Sequence, residues 1–199
     1  MTAAVAATSF HVKPSLPLIR PEPLFDSVHQ ALLFAYTFTP NQHPASAVVE
    51  RTLMEMGRER YERLRYVSRG LGGLDGAAQA GMIKRHVEAL PSVARAVTEA
   101  RFAVLDTKVR NAAMRLLVLR MRCDAGGVPI DALSWAVQRY FGICTLTVPV
   151  ISDRIGVPVR TLERRWQDTR RSLDDHHAVA MSRLSMALGG SGVINAAFA

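Results

Sequence analysis

A chain of 199 residues is long enough for one or two domains and for a sizeable buried core. Its net charge is +8, and 22 of its 25 basic residues are arginine. That balance favours an acidic partner, nucleic acid being the commonest. No run approaches the ~20 uninterrupted apolar residues of a membrane span, which excludes a transmembrane helix from the expectations. The two cysteines, Cys123 and Cys144, have no CxxC companion. A zinc finger and a disulfide framework are therefore not expected, and a reduced cytoplasmic compartment fits.

Residues 1–23 carry Pro14, Pro17, Pro21 and Pro23 without sustained periodicity, and read as a flexible arm. The opening lacks both a basic leader and a long apolar run, so no signal peptide is expected. Phe25, Val28, Leu32 and Ala35, joined by Leu33 and Tyr36, predict a helix over 24–37. Pro40 and Pro44 bound a loop, and a second helix is predicted over 45–66 with Val48, Leu53 and Met56 inside. Residues 58–69, RERYERLRYVSR, set five arginines against two glutamates. A solvated, salt-bridged helix face accounts for that segment better than a nucleic-acid patch, although Tyr61 and Tyr66 suit base stacking.

GLGGLDG over 70–76 lacks the lysine and hydroxyl of a phosphate-cradling loop and reads as a connection, with Asp75 as helix cap. Helices follow over 76–90 (Met82, Ile83, Val87 and Leu90 inside) and 92–104 (Val93, Ala96, Val97, Ala100 and Leu105, with Phe102 at the margin). The third of this group spans 107–122. Its inner residues are Val109, Ala113, Leu116 and Leu117, with Leu119 at the margin and Arg110, Arg115, Arg120 and Arg122 outside. CDAGGVP over 123–129 is the expected inter-domain hinge. Beyond it, Asp131 caps a supporting helix over 130–141 whose core face is Leu133, Val137, Tyr140 and Phe141.

Residues 147–173 then read as a short helix, a tight turn and an arginine-rich helix. Ile151 and Ile155 share one face, Gly156 supplies the turn, and Pro158 stands where the next helix starts. Leu162, Trp166, Thr169 and Leu173 form one stripe. This is the pattern of a helix-turn-helix, with helices predicted over 148–155 and 159–173. At about 100° per residue, Arg160, Arg164, Gln167 and Arg171 fall opposite the stripe, flanked by Thr161, Glu163 and Asp168. Guanidinium forks, an amide and a hydroxyl suit phosphates and base edges in a major groove. The candidate DNA-binding residues are thus Arg154, Arg160, Thr161, Glu163, Arg164, Gln167 and Arg171. Past Leu173, through Ala180, Leu184 and Leu188, two readings stay open: the helix runs on, or it breaks at Asp174 and Asp175.

ISDRIGVPVRTLERRWQDTRRSL resembles the last two helices of sigma-factor region four. Ile151, Ile155, Gly156, Val157, Thr161, Leu162, Arg165 and Leu173 occupy matching places, while Ser152 and Thr169 stand where that family usually has alanine. The resemblance covers about 25 residues and implies DNA binding. A second, weaker one joins FAYTFTPNQHP, GLGGLDGAAQAGMIKRHVEALP and the C-terminal motif, and is similar to prophage relatives of Q-type late antitermination regulators. It implies binding at a late promoter and action with RNA polymerase. No cysteine cluster follows Ala100, Arg101 and Phe102, where those relatives carry one.

The expected architecture is all-α, in four parts. An arm spans 1–23, a helical domain 24–122, a helix-turn-helix domain 128–188 and a disordered tail 189–199. The six histidines show no HExxH or Cys/His spacing, and adjacent residues such as His176 and His177 diverge by about 100° on a helix. No metal, cofactor or catalytic residue is expected. The expected function is a DNA-binding transcription regulator. The alternative is a non-enzymatic helical interaction module serving protein or RNA through its arginine-rich faces.

Overall fold

The computed structural model describes residues 23–38, 73–124 and 128–195. The expected arm, the helix over 45–66 and the arginine-rich segment 58–69 lie outside the described residues, apart from Pro23 of the arm. Among the described residues the fold is all-helical, with seven helices and no strand. These are α1 Val28–Thr37, α2 Gly73–Glu88, α3 Ser92–Phe102, α4 Thr107–Asp124, α5 Ile130–Tyr140, α6 Val148–Ile155 and α7 Val159–Gly190. No helix among them is long and apolar enough to cross a membrane.

Several helix ends differ from the sequence expectation for identifiable reasons. α1 begins at Val28 instead of Leu24, because Ser27 caps it, accepting from the Gln30 amide at 3.3 Å. Gln30 Oε1 in turn accepts from the Asp26 amide at 3.0 Å. The residues just before are committed elsewhere. The Phe25 amide donates to the Val193 carbonyl at 3.0 Å, and the Asn195 amide donates to the Phe25 carbonyl at 3.3 Å. α2 starts three residues early, at Gly73, so Asp75 sits in its first turn, where a carboxylate favours the helix dipole, and not at its cap. Asp131 likewise sits in the first turn of α5, whose cap residue is Pro129.

The largest difference is the length of α7. It passes Asp174 and Asp175 without a break and runs for 32 residues, about 48 Å at the helical rise. Leu162, Thr169, Leu173, Ala180, Leu184 and Leu188 are buried along it at spacings of seven and four residues. Trp166 and His177 fill the two gaps as partly buried members. One stripe therefore faces inward from end to end.

That stripe meets three apolar clusters in turn. Leu162 joins Ala132, Trp135 and Ala136 of α5 and Ile151 of α6. Leu173 joins Val97 and Ala100 of α3, Leu117 and Met121 of α4, and Leu133 and Val137 of α5. Leu184 and Leu188 join Phe25, Leu32 and Phe34 at α1, and Ile83 and Val87 of α2. Residues placed by sequence on both sides of 123–129 thus share a single packing axis. The segment 189–199, expected as a disordered tail, is ordered as far as Asn195. Gly189 and Gly190 finish α7, and Val193 and Ile194 are buried against Phe25. The remaining residues of the tail lie outside the described set.

α4 also turns differently from the expectation. Ala113, Leu117, Val118 and Met121 face the core, whereas Leu116 and Leu119 are exposed. Arg110 is drawn inward instead of facing water. Its Nε donates to the Ala100 carbonyl at 3.1 Å and its Nη2 to the Phe141 carbonyl at 3.5 Å. One cation thereby caps the C-terminal ends of α3 and α5, where the carbonyls carry partial negative charge. In α3, Leu105 lies outside with the following loop, and Phe102 is buried.

A polar group sits between the second and third clusters. The Tyr140 hydroxyl donates to Asp174 Oδ1 at 2.7 Å, and burial, followed by that bond, pushes its pKa up to about 12. His177 lies beside it, its Nδ1 buried without a partner. Its pKa is lowered by burial first, then by the positive charge of Arg101 and His29.

Leu184→Ala should destabilise the chain by about 2–5 kcal/mol in denaturant unfolding, since it removes a fully buried side chain from a rigid helix. The pH dependence has a definite sign. The unfolded His177 takes up a proton near its ordinary value of 6.5, before the folded one does. Stability should therefore fall as pH drops below about 6.5, and His177→Gln should flatten that part of the profile in thermal melts between neutral and mildly acidic pH.

Candidate nucleic-acid interface

The site is built from α6, the turn at Gly156 and the first part of α7. Thr147 enters α6 in an extended conformation, and Pro149 occupies its first turn, where no amide hydrogen is needed. Gly156 ends α6 with φ 70° and ψ 23°, in the left-handed region, and its amide donates to the Ser152 carbonyl at 2.8 Å. The Ser152 hydroxyl donates to the Val157 carbonyl at 2.7 Å, which ties the turn down from within α6. The Ser152 hydroxyl therefore has a structural role in the turn. Pro158 then opens α7, its carbonyl accepting from the amides of Thr161 at 2.9 Å and Leu162 at 3.1 Å.

Apolar packing sets the angle between the two helices. Ile151 and Leu162 are buried against Ala132, Trp135 and Ala136, with Val148, Ile155, Val157 and Trp166 around them. α5 is the platform, but with a wider buried face than sequence reading assigned. Trp135 was not expected in its core, yet it is 4% exposed, while Tyr140 and Phe141 are only half-buried.

The outer face of α7 brings together five of the seven candidate residues. Arg160, Thr161, Glu163, Arg164 and Gln167 are all exposed and line a shallow concavity of about 430 Å³. Arg171 is exposed one turn further on, and Arg154 is exposed on α6. Neither lines that concavity. Arg165, by contrast, turns back towards the core, with its Nε buried and its Nη1 at 4.0 Å from Asp168. Arg170 lies near Asp174, with Nε to Oδ2 at 3.7 Å.

Sequence reading missed Arg139. Its guanidinium lies 5.3 Å from the ring centre of Trp135 and 5.2 Å from that of Trp166, whose rings are 6.3 Å apart. A cation over two indole faces clamps α5 to α7 directly behind the outer face. The signal was half present, since Trp135 and Arg139 are four apart on one helix. The partner, Trp166, is brought in only by folding. Trp135 Nε1, Arg139 Nη1 and Arg165 Nε are buried without hydrogen-bond partners.

Chemically, the outer face offers arginine forks, an amide and a hydroxyl at the start of a helix, on a rigid two-helix corner. Glu163 adds a carboxylate to the concavity, and Asp168 is exposed at its flank. No family model, curated protein or solved structure matches the chain. The arrangement therefore has to be read from its own geometry.

Gly156→Ala should cost about 1–2 kcal/mol in thermal or denaturant unfolding, the penalty of placing a Cβ in the left-handed region. A new Cβ would meet no atom within 4 Å, so the loss should be backbone strain without a clash. Arg139→Met should lower stability by about 1–2 kcal/mol through the lost cation–π contacts.

Proposed function

We propose that this chain is a DNA-binding transcription regulator that docks the α6–α7 corner on duplex DNA, with α7 as the recognition helix of a helix-turn-helix. The observation that carries the reading is the grouping of Arg160, Thr161, Glu163, Arg164 and Gln167 on one exposed face at the start of α7. That face adjoins a left-handed glycine turn and is backed by a buried platform. A helix of this diameter fits the major groove, and the residues near its start reach the base edges. Arg154 and Arg171, at the margins, suit phosphate contacts. A net charge of +8 favours approach to DNA whatever its sequence.

Only the first three or so turns of α7 fit a groove. The remainder is committed to packing, first against α3, α4 and α5 through Leu173 and then against α1 and α2 through Leu184 and Leu188. The resemblance to sigma-factor region four supports the DNA reading, and the weaker one to Q-type late antitermination regulators supplies a finer one. On that finer reading the chain is a prophage-derived regulator acting with RNA polymerase in the cytoplasm. In either case it works by binding and not by catalysis.

The test is a selection of bound fragments from a genomic library, followed by salt-titrated binding to the recovered site. Arg164→Ala should weaken binding by about 1–3 kcal/mol and relax the preference at one base position. Arg171→Ala should weaken all sequences alike and lower the salt slope by roughly one. If Arg160→Ala and Arg164→Ala bind duplex DNA as tightly as the parent while melting normally, the face is merely solvated. The reading as an interaction module for protein or RNA then replaces this one.

A further inference from the structure

α4 has two apolar faces, and the core uses only one. At about 100° per residue, Ala113, Leu117, Val118 and Met121 point to the α3–α5–α7 core. On the opposite side, Ala112, Leu116, Leu119 and Cys123 recur at spacings of four, three and four, and all four are exposed. Leu116 is 39% exposed and Leu119 56%. This is the seam spacing with which one helix receives another. Beside the seam runs a groove of about 510 Å³ between α4 and α5, floored by Met114, Val118 and Val137. Ile130, 41% exposed, forms its far lip.

The charges around the seam indicate what fits there. Arg115 and Arg122 flank it on one side and Arg120 on the other, with Lys108 one turn earlier. Among the described side chains of α4 no carboxylate falls on this face, and the groove's carboxylate is Asp131 on the α5 side. A second copy of α4 laid along the seam would set arginine against arginine, which costs energy at the flanking positions of a helix pair. The arginine-rich segment 58–69 of this chain has the same unfavourable sign.

We infer that the outer face of α4 and the adjoining α4–α5 groove form a docking surface for an acidic amphipathic helix of a protein partner. The partner's apolar residues would cover Leu116 and Leu119, and its carboxylates would meet Arg115 and Arg122. This is helix-in-groove recognition, with charge fixing the choice of partner. The surface is independent of the α6–α7 corner and does not rest on DNA binding.

The test uses the full chain and two synthetic helical peptides that share one leucine seam. One is flanked by glutamates and the other by lysines. Fluorescence anisotropy should show binding of the glutamate peptide only, weakening as salt is added. Leu119→Asp, at an exposed position, should leave the melting profile intact and weaken that binding by roughly tenfold or more. The double variant Arg115→Glu with Arg122→Glu should reverse the preference to the lysine peptide. Equal binding of both peptides, or binding of neither, would overturn the proposal. So would a concentration-dependent dimer in sedimentation that Leu119→Asp abolishes, since the occupant would then be a second copy. Loss of random-sequence duplex binding in the double arginine variant, with peptide binding unchanged, would assign those arginines to phosphates instead.

Discussion

The structure depends on the inward stripe of α7. Every apolar cluster among the described residues includes a leucine from it: Leu162 in one, Leu173 in the next, Leu184 and Leu188 in the third. A single helix can serve three clusters because its stripe hardly drifts. Spacings of three and four, averaging close to the helical period, keep one edge facing inward over its whole length. Burying that edge supplies most of the stability that offsets the entropy of ordering the helix. Asp174 and Asp175 fall on the exposed side, which is why the helix passes them unbroken.

Polar contacts then fix what the apolar stripe leaves free. Arg139 clamps two indoles behind the outer face of α7, and Arg110 gathers the carbonyl ends of α3 and α5. The Tyr140–Asp174 bond joins α5 to the middle of α7. Each of these holds α5 against another helix. The corner formed by α6 and α7 therefore rests on a platform fastened at three points, and its arginines project from that base. Such a base suits the proposed DNA-binding surface, because a backbone already held in place has less freedom to lose on binding.

The two proposed surfaces use the same chemistry for different partners. On α7, arginines stand with an amide and a hydroxyl, a set suited to phosphates and base edges. On α4, arginines border exposed leucines, a set suited to an acidic helix. The clusters connect them, since Leu117 on the inner side of α4 packs in the same group as Leu173 of α7. A partner seated on α4 and DNA seated on α7 would thus bear on one continuous core.

Much of this was legible from residue order alone. Periodicity placed α6 over the residues found, and the Gly156 turn followed from the conformational freedom of a residue without Cβ. The exposed arginine face of α7 followed from a 100° rotation per residue. These are local features, settled by neighbours within a turn or two. What the sequence left open depends on distant partners. Whether α7 stopped near Leu173 or ran to Gly190 was decided by α1 and α2, which Leu184 and Leu188 needed to reach. Phe25 looked helical until Val193 and Ile194 supplied backbone partners from the far end of the chain. Leu116 and Leu119 looked like core because leucine usually is, and Arg110 looked solvated because arginine usually is. Only tertiary packing selects which of two apolar edges on α4 meets the core and which charged group finds buried carbonyls, because a helix can be rotated about its axis without any change in its own hydrogen bonds.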